Sequence, residues 1–289
     1  MIAQQAIGLI AISALASACA PELYKRDGIH PAHIQKRQHI PNVVEDTRGW
    51  TFDQSEEWNT QSPGWGACFA GTQQSPIDLQ TSWGFAKSSP PVFNYPKALK
   101  GPLNNWDFGP QFTLAAVADD NTTEASIQFS HDGVEETAYF RSWHTHAPAE
   151  HTIDGYAPRA ELHYVHYDDA GIPRAVVGFF VDQATAENPS SGSAFYKQLE
   201  SLALPDIFNN QTIPEITLDL NLAISEVNDY KNFWTYKGSL TTPPCLEGLR
   251  WFVSKDIIYL SDAQLESLLK VSTFGARPVH RVWGHQVNA

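Results

Sequence analysis

The amino-acid sequence predicts a mainly β fold of the α+β kind: a single domain built on one large sheet with a few peripheral helices. Three observations lead there. Short strand-like runs outnumber helical stripes along the chain. One of them, residues 174–181, contains Ala-Val-Val-Gly-Phe-Phe-Val, the pattern of a strand buried on both faces. The 289 residues, 42% hydrophobic and 12% aromatic, suffice for one large core without a second domain.

The elements follow in chain order. Residues 126–130 lead into Asp132-Gly133, a hairpin turn signal. The chain then returns through Tyr139 on a strand that carries His144 and His146. Residues 159–167 form the next strand-like run, ahead of the apolar run at 174–181. Phe195, Leu199 and Leu202 have helical spacing, and Pro205 stops that run. Residues 215–221 and 249–253 are predicted strands. Leu265, Leu268 and Leu269 make a second helical stripe, with Ser261 as N-cap and Gln264 completing a capping box. No internal repeat or low-complexity block occurs.

The chemistry concentrates between residues 144 and 163. His144-Thr145-His146 places two imidazoles on one face of a strand. Glu161-Leu162-His163 does the same for a carboxylate and a third imidazole on the next run. If the two strands pair, three imidazoles converge, a donor set that suits zinc and leaves its fourth position open. Glu161 and Ser142 lie on the correct faces to accept the outer N–H of His163 and His144. Spacing alone leaves polar decoration open as the alternative. The inverted zinc-protease motif is excluded, because His146-Ala147-Pro148-Ala149-Glu150-His151 has one residue too many and Pro148 opposes the helix it needs.

Three blocks, in order along nearly 180 residues, resemble the α-class carbonic anhydrases. They are Gln74-Ser75-Pro76-Ile77-Asp78-Leu79, the histidine region from Trp143 to His166, and Gly238-Ser239-Leu240-Thr241-Thr242-Pro243-Pro244-Cys245. The resemblance implies a central, twisted, mostly antiparallel sheet of about ten strands. It implies Zn2+ held by His144, His146 and His163, and reversible hydration of carbon dioxide to bicarbonate by zinc-bound hydroxide. Thr241 would orient that hydroxide, and Glu150, acting as acceptor, would fix the direction of the Thr241 hydroxyl. Val165, Val176, Leu240, Thr242, Leu249 and Trp251 match the wall of the substrate pocket. Sulfonamides and small anions are the expected inhibitors. An esterase side activity and a non-catalytic binding module are the competing functions; the module typically lacks a ligand histidine, and here all three are present.

The chain departs from the family in three places. Phe52 stands where a tyrosine is common, two residues after Trp50. Trp106-Asp107-Phe108 follows Leu103-Asn104-Asn105 where many members carry a proton-shuttle histidine. Ser142 replaces a glutamine beside the first ligand. His151 and His166 are expected to be hydrogen-bonded structural groups, with no role assigned to His131, His280 or His285.

The remaining expectations concern address and processing. Residues 1–20 read as a signal peptide ending at Ala18-Cys19-Ala20, although no basic n-region precedes them; a short membrane anchor and a lipoprotein at Cys19 are the alternatives. Residues 21–45 read as a polar linker or pro-segment, with dibasic pairs at Lys25-Arg26 and Lys36-Arg37, and residues 46–289 as the α-carbonic anhydrase domain. The mature protein is expected to have no membrane span and to be secreted or extracellular, with the cell wall or periplasm as variants of that address. Once Cys19 is set aside, Cys68 and Cys245 form an even pair, which fits a disulfide in an exported chain or two buried thiols. Exported members of the family often carry this pair at matching positions. Asn121 and Asn210 begin glycosylation sequons. A formal charge of −13 argues against nucleic-acid binding. The sequence assigns no oligomeric state.

Overall fold

The structure is a computed structural model and describes residues 49–86, 90–208 and 211–289. The expected signal peptide, linker segment and Asn210 lie outside these residues. Thirteen strands occur among the described residues: β1 (Asp78–Leu79), β2 (Val92–Asn94), β3 (Leu99–Asn105), β4 (Pro110–Thr113), β5 (Ser126–His131), β6 (Val134–His146) and β7 (Thr152–Ile153) come first. They are followed by β8 (Ala160–Tyr167), β9 (Pro173–Gln183), β10 (Ile213–Leu218), β11 (Phe233–Ser239), β12 (Glu247–Ser254) and β13 (Ile258–Leu260). The α-helices are short: α1 (Trp58–Gln61), α2 (Ala67–Ala70), α3 (Ala194–Lys197), α4 (Asn221–Glu226) and α5 (Asp262–Lys270).

Eleven strands form one sheet, with a spine in the order β10-β3-β4-β6-β8-β9-β12-β11. β5 pairs with the first half of β6 and carries β2, while β4 pairs with its last residues. The sheet is mixed: β12 and β13 both join β9 in parallel, and the other pairings are antiparallel. β1 and β7 make a separate two-stranded sheet.

The two faces of the large sheet bury different things. One face carries the main core, including Phe112, Trp143, Leu162, Tyr164, Phe179 and Phe252, closed by Leu265 and Leu268 of α5. The other buries Val176, Phe180, Trp234, Tyr236, Trp251 and Val253. This explains the unbroken apolar run of β9, which is covered on both sides and flanked by β8 and β12. An aromatic cluster of Trp50, Phe52, Trp58, Trp106 and Phe108 closes one end.

Several local expectations hold. Asp132 and Gly133 have φ of 54° and 76°, as a two-residue I′ hairpin turn requires, and they join β5 to β6. Ser261 and Gln264 form the capping box of α5. Two expectations need correction. The strand placed at 215–221 ends at Leu218, because the Asp219 carboxylate takes the Asn221 backbone N–H and side-chain amide at 3.0 and 2.7 Å and starts α4. The helix through Phe195, Leu199 and Leu202 is α only to Lys197. Beyond it the bonds tighten to i→i−3, from Gln198 N–H to Phe195 O and from Leu199 N–H to Tyr196 O. The apolar spacing therefore found the buried side but not the helix type. Among the described residues, no helix is long and apolar enough to cross a membrane.

Candidate metal centre

The register of β6 against β8 builds the site. His144 lies opposite His163, and His146 opposite Glu161. Cross-strand partners project to the same side, so all four leave the face opposite the main core. The donor atoms of His144, His146 and His163 lie within 4.8 Å of one another. On β9 the residue opposite His163 is Gly178. A Cβ there would sit 3.2 Å from Glu161 Oε1, so the missing side chain makes room for the carboxylate.

Hydrogen bonds assign the ring nitrogens. His146 Nδ1 donates to Gly275 O at 2.6 Å, which leaves the buried Nε2 with a lone pair and no partner. His163 Nε2 donates to Glu161 Oε1 at 2.8 Å, which leaves Nδ1 free. Burial holds His144 and His146 well below the ordinary imidazole pKa, with neighbouring imidazoles adding to it. Burial also lowers His163, against the upward pull of Glu161. The three rings are therefore neutral at physiological pH, the state a metal ligand needs. An orphaned buried nitrogen, two assigned lone pairs and a neutral three-imidazole set fit a zinc ion.

Glu161 is the anchor beneath them. Its Oε1 accepts from His163 and from His151 Nδ1 at 2.7 Å, and its Oε2 from the backbone N–H groups of Glu150 and His151 at 2.9 and 2.8 Å. Burial alone would raise its pKa, but His151 and His163 bring it well below the usual range. The relay continues outward. Tyr236 OH donates to His151 Nε2 at 2.6 Å, and Ser75 Oγ lies 2.8 Å from the same hydroxyl. Ser75 Oγ in turn accepts from Ser239 N–H at 3.1 Å, at the start of the loop that holds Thr241. His151, Glu161 and His163 also form a geometric metal-type cluster, but their nitrogens and oxygens are committed to one another at hydrogen-bond length.

Glu150 is buried beside the free nitrogens. Its Oε2 is 3.4 Å from His146 Nε2 and 4.0 Å from His163 Nδ1. Its Oε1 accepts from Arg277 N–H at 3.0 Å. Burial pushes its pKa well up, while Arg277 and the nearby Thr241 hydroxyl oppose that push. Thr241 and Thr242 are both buried in the loop after β11. Val165, Val176 and Trp251 form one cross-strand row beside the His163 row, and the Trp251 ring is 4.9 Å from that of His163. Leu249 and Leu240 pack in the same apolar cluster. Cys68 and Cys245 are bonded as a disulfide, which ties the Thr241 loop to α2.

Other candidates separate from the centre. Ser142 faces Val165 and makes no hydrogen bond to His144, because a serine hydroxyl is too short to span two residues of strand. His131 ends β5 opposite Val134, the first residue of β6, which lies ten residues or about 30 Å along that strand from His144, and it is held by Arg174. His166 is bonded to Tyr95 OH in the main core at 2.8 Å. Asn121 already donates its side-chain N–H to Asp169 O at 3.0 Å.

Trp106, a departure from the family in the sequence, is a wall of the site. It is 4% exposed, its ring lies 4.9 and 5.2 Å from those of His144 and His146, and its Nε1 donates to Thr145 O. Sequence reasoning also missed Gly275 and Arg277. They act through backbone atoms from 127 to 129 residues away, and no side-chain pattern announces such contacts.

Comparison with known proteins agrees with this geometry. Residues 53–282 match the eukaryotic-type carbonic anhydrase family. The chain is 32% identical to a carbonic anhydrase of Nostoc sp. over 229 residues, covering 78% of each chain. It is also 32% identical to carbonic anhydrase 6 of Mus musculus, covering 73% of this chain and 68% of the relative. The α-carbonic anhydrase of Thermovibrio ammonificans, solved with the inhibitor sulfanilamide, superposes with a TM-score of 0.64 at 28% identity, over 81% of this chain and 94% of that one. The chain therefore belongs to the eukaryotic-type, or α-class, carbonic anhydrase family and is an enzyme of that family.

Proposed function

We propose that this chain hydrates carbon dioxide reversibly to bicarbonate and a proton, with zinc held by His144, His146 and His163. The observation that carries the proposal is the convergence of three buried, neutral imidazoles, one with a nitrogen that has no other partner. When bound, zinc acts as a Lewis acid and brings the pKa of water near 7, a value known for this enzyme family. The protein's own residues then divide the work. Glu161 fixes the tautomer and the direction of the His163 ring. Thr241 orients the nucleophile, and Glu150 directs the Thr241 hydroxyl by accepting from it. Burial opposes the ionised form of Glu150 that this requires, the Arg277 backbone N–H and the Thr241 hydroxyl favour it, and zinc held beside it would favour it further. Val165, Val176, Leu240, Thr242, Leu249 and Trp251 offer carbon dioxide an apolar wall.

Stopped-flow hydration with and without a chelator tests the proposal. Chelation is expected to abolish hydration and one equivalent of zinc to restore it. One zinc per chain without hydration would instead favour the non-catalytic module. Glu150→Gln is expected to keep its zinc and lose about 10- to 100-fold in kcat/KM, because an amide can donate to the Thr241 hydroxyl. An unchanged rate in that variant would remove Glu150 from the orienting role.

Proton release is expected to limit turnover. The position where many members carry a shuttle imidazole holds the buried Trp106, and the neighbouring Asp107 is a carboxylate, not an imidazole. Small imidazole-type buffers should therefore raise kcat and leave kcat/KM unchanged. A rate already high and flat in dilute buffer would refute this. Export of the chain as a secreted enzyme is proposed from residues 1–20 and the Cys68–Cys245 disulfide. Sulfonamides and small anions are proposed as inhibitors, as sulfanilamide is of the Thermovibrio ammonificans relative.

A further inference from the structure

Two of the three central imidazoles have an acceptor for their outer N–H: Gly275 O for His146 and Glu161 for His163. Among the described residues His144 has none, and Ser142 does not supply it. We propose that Gln111 is the positioning residue for His144, its side-chain carbonyl accepting the outer N–H of that ring when the metal is held. This rests on the zinc site proposed above.

Four observations point to Gln111. It is the cross-strand partner of His144 on β4, just as His163 is on β8, so its side chain leaves the same face. Direct partners have Cβ atoms about 5 Å apart, within reach of an amide. Gln111 is 6% exposed, and its Oε1 is buried without a donor, a state that buried carbonyls rarely keep. Its Nε2 donates to Thr113 Oγ1 at 3.4 Å, which turns the oxygen end of the amide free for another partner. Asn105 Oδ1 is also buried without a donor, but it sits on β3, two strands and about 9–10 Å from β6. Ser142, two residues or about 6.6 Å along the same strand, has a hydroxyl too short to bridge that distance. The acceptor has thus moved from the ligand's own strand to the neighbouring one.

The test is zinc affinity by competition with a chromophoric chelator, for the full chain and three variants. Wild type is expected to bind one zinc. Gln111→Leu, of similar size but without an acceptor, is expected to weaken zinc about 10- to 100-fold. Ser142→Ala should change affinity less than about 3-fold, and Gln111→Glu, which keeps an acceptor, should bind at least as tightly as wild type. Proton–nitrogen NMR of the zinc-loaded protein gives a second readout: a slowly exchanging ring N–H of His144 in wild type that Gln111→Leu loses. Wild-type affinity and an unchanged His144 signal in Gln111→Leu would overturn the proposal. So would an equal loss in Gln111→Glu, or a loss in Ser142→Ala as large as that in Gln111→Leu. A wild-type chain that binds no zinc would overturn the zinc site itself, an outcome visible before any variant is compared.

Discussion

His163→Ala is expected to abolish carbon dioxide hydration and to leave less than stoichiometric zinc under conditions that saturate the wild type. Disturbing a residue that only orients a zinc ligand costs about 10- to 100-fold in affinity, so removing the ligand must exceed about 100-fold. The substitution does further damage. His163 Nε2 is one of four donors to the buried Glu161, and its loss leaves that oxygen with His151 alone. Folding is checked independently by near-ultraviolet circular dichroism, since the variant keeps the aromatic clusters on both faces of the sheet. Near-normal zinc content by elemental analysis would remove His163 from the ligand set.

The second large effect concerns the Cys68–Cys245 bridge. Its two cysteines are separated by 177 residues, so it closes most of the domain into one loop. The chain-entropy argument gives an upper limit of about 5 kcal/mol for such a loop, set against a total domain stability of about 5–15 kcal/mol. The Cys68→Ser/Cys245→Ser double variant is therefore expected to lose about 3–5 kcal/mol in urea unfolding, or about 6–20 °C in Tm. Activity should fall as well, because the bridge anchors the loop carrying Thr241. Cys68 O also accepts from the Arg277 guanidinium at 3.0 Å, and the Arg277 backbone N–H holds Glu150. A loss under about 1 kcal/mol, or two free thiols by alkylation of the native protein, would refute the stabilising role.

The convergence of the three imidazoles was legible because a strand's period is two residues. His144 with His146, and Glu161 with His163, needed only pairing of two strands to converge. The hairpin at Asp132-Gly133 and the cap at Ser261 were legible because their signals are local and tied to a backbone conformation. The strand boundary at Leu218 was not, because Leu218, Leu220 and Leu222 continue the alternation while Asp219 turns the backbone into α4. The parallel pairing of β12 and β13 with β9 carries no sequence mark, since both arrangements bury similar residues. The support of the site was mostly hidden. Gly275 and Arg277 contribute backbone atoms, Trp106 arrives through a separate aromatic cluster, and Gln111 depends on which strand lies beside β6.

Zinc is expected to sit among His144, His146 and His163. The most direct measurement is anomalous diffraction at the zinc edge from crystals of the loaded, full chain. One strong peak is expected about 2.0–2.1 Å from His146 Nε2, His163 Nδ1 and a ring nitrogen of His144. No peak there, or a peak instead among His151, Glu161 and His163, would contradict it.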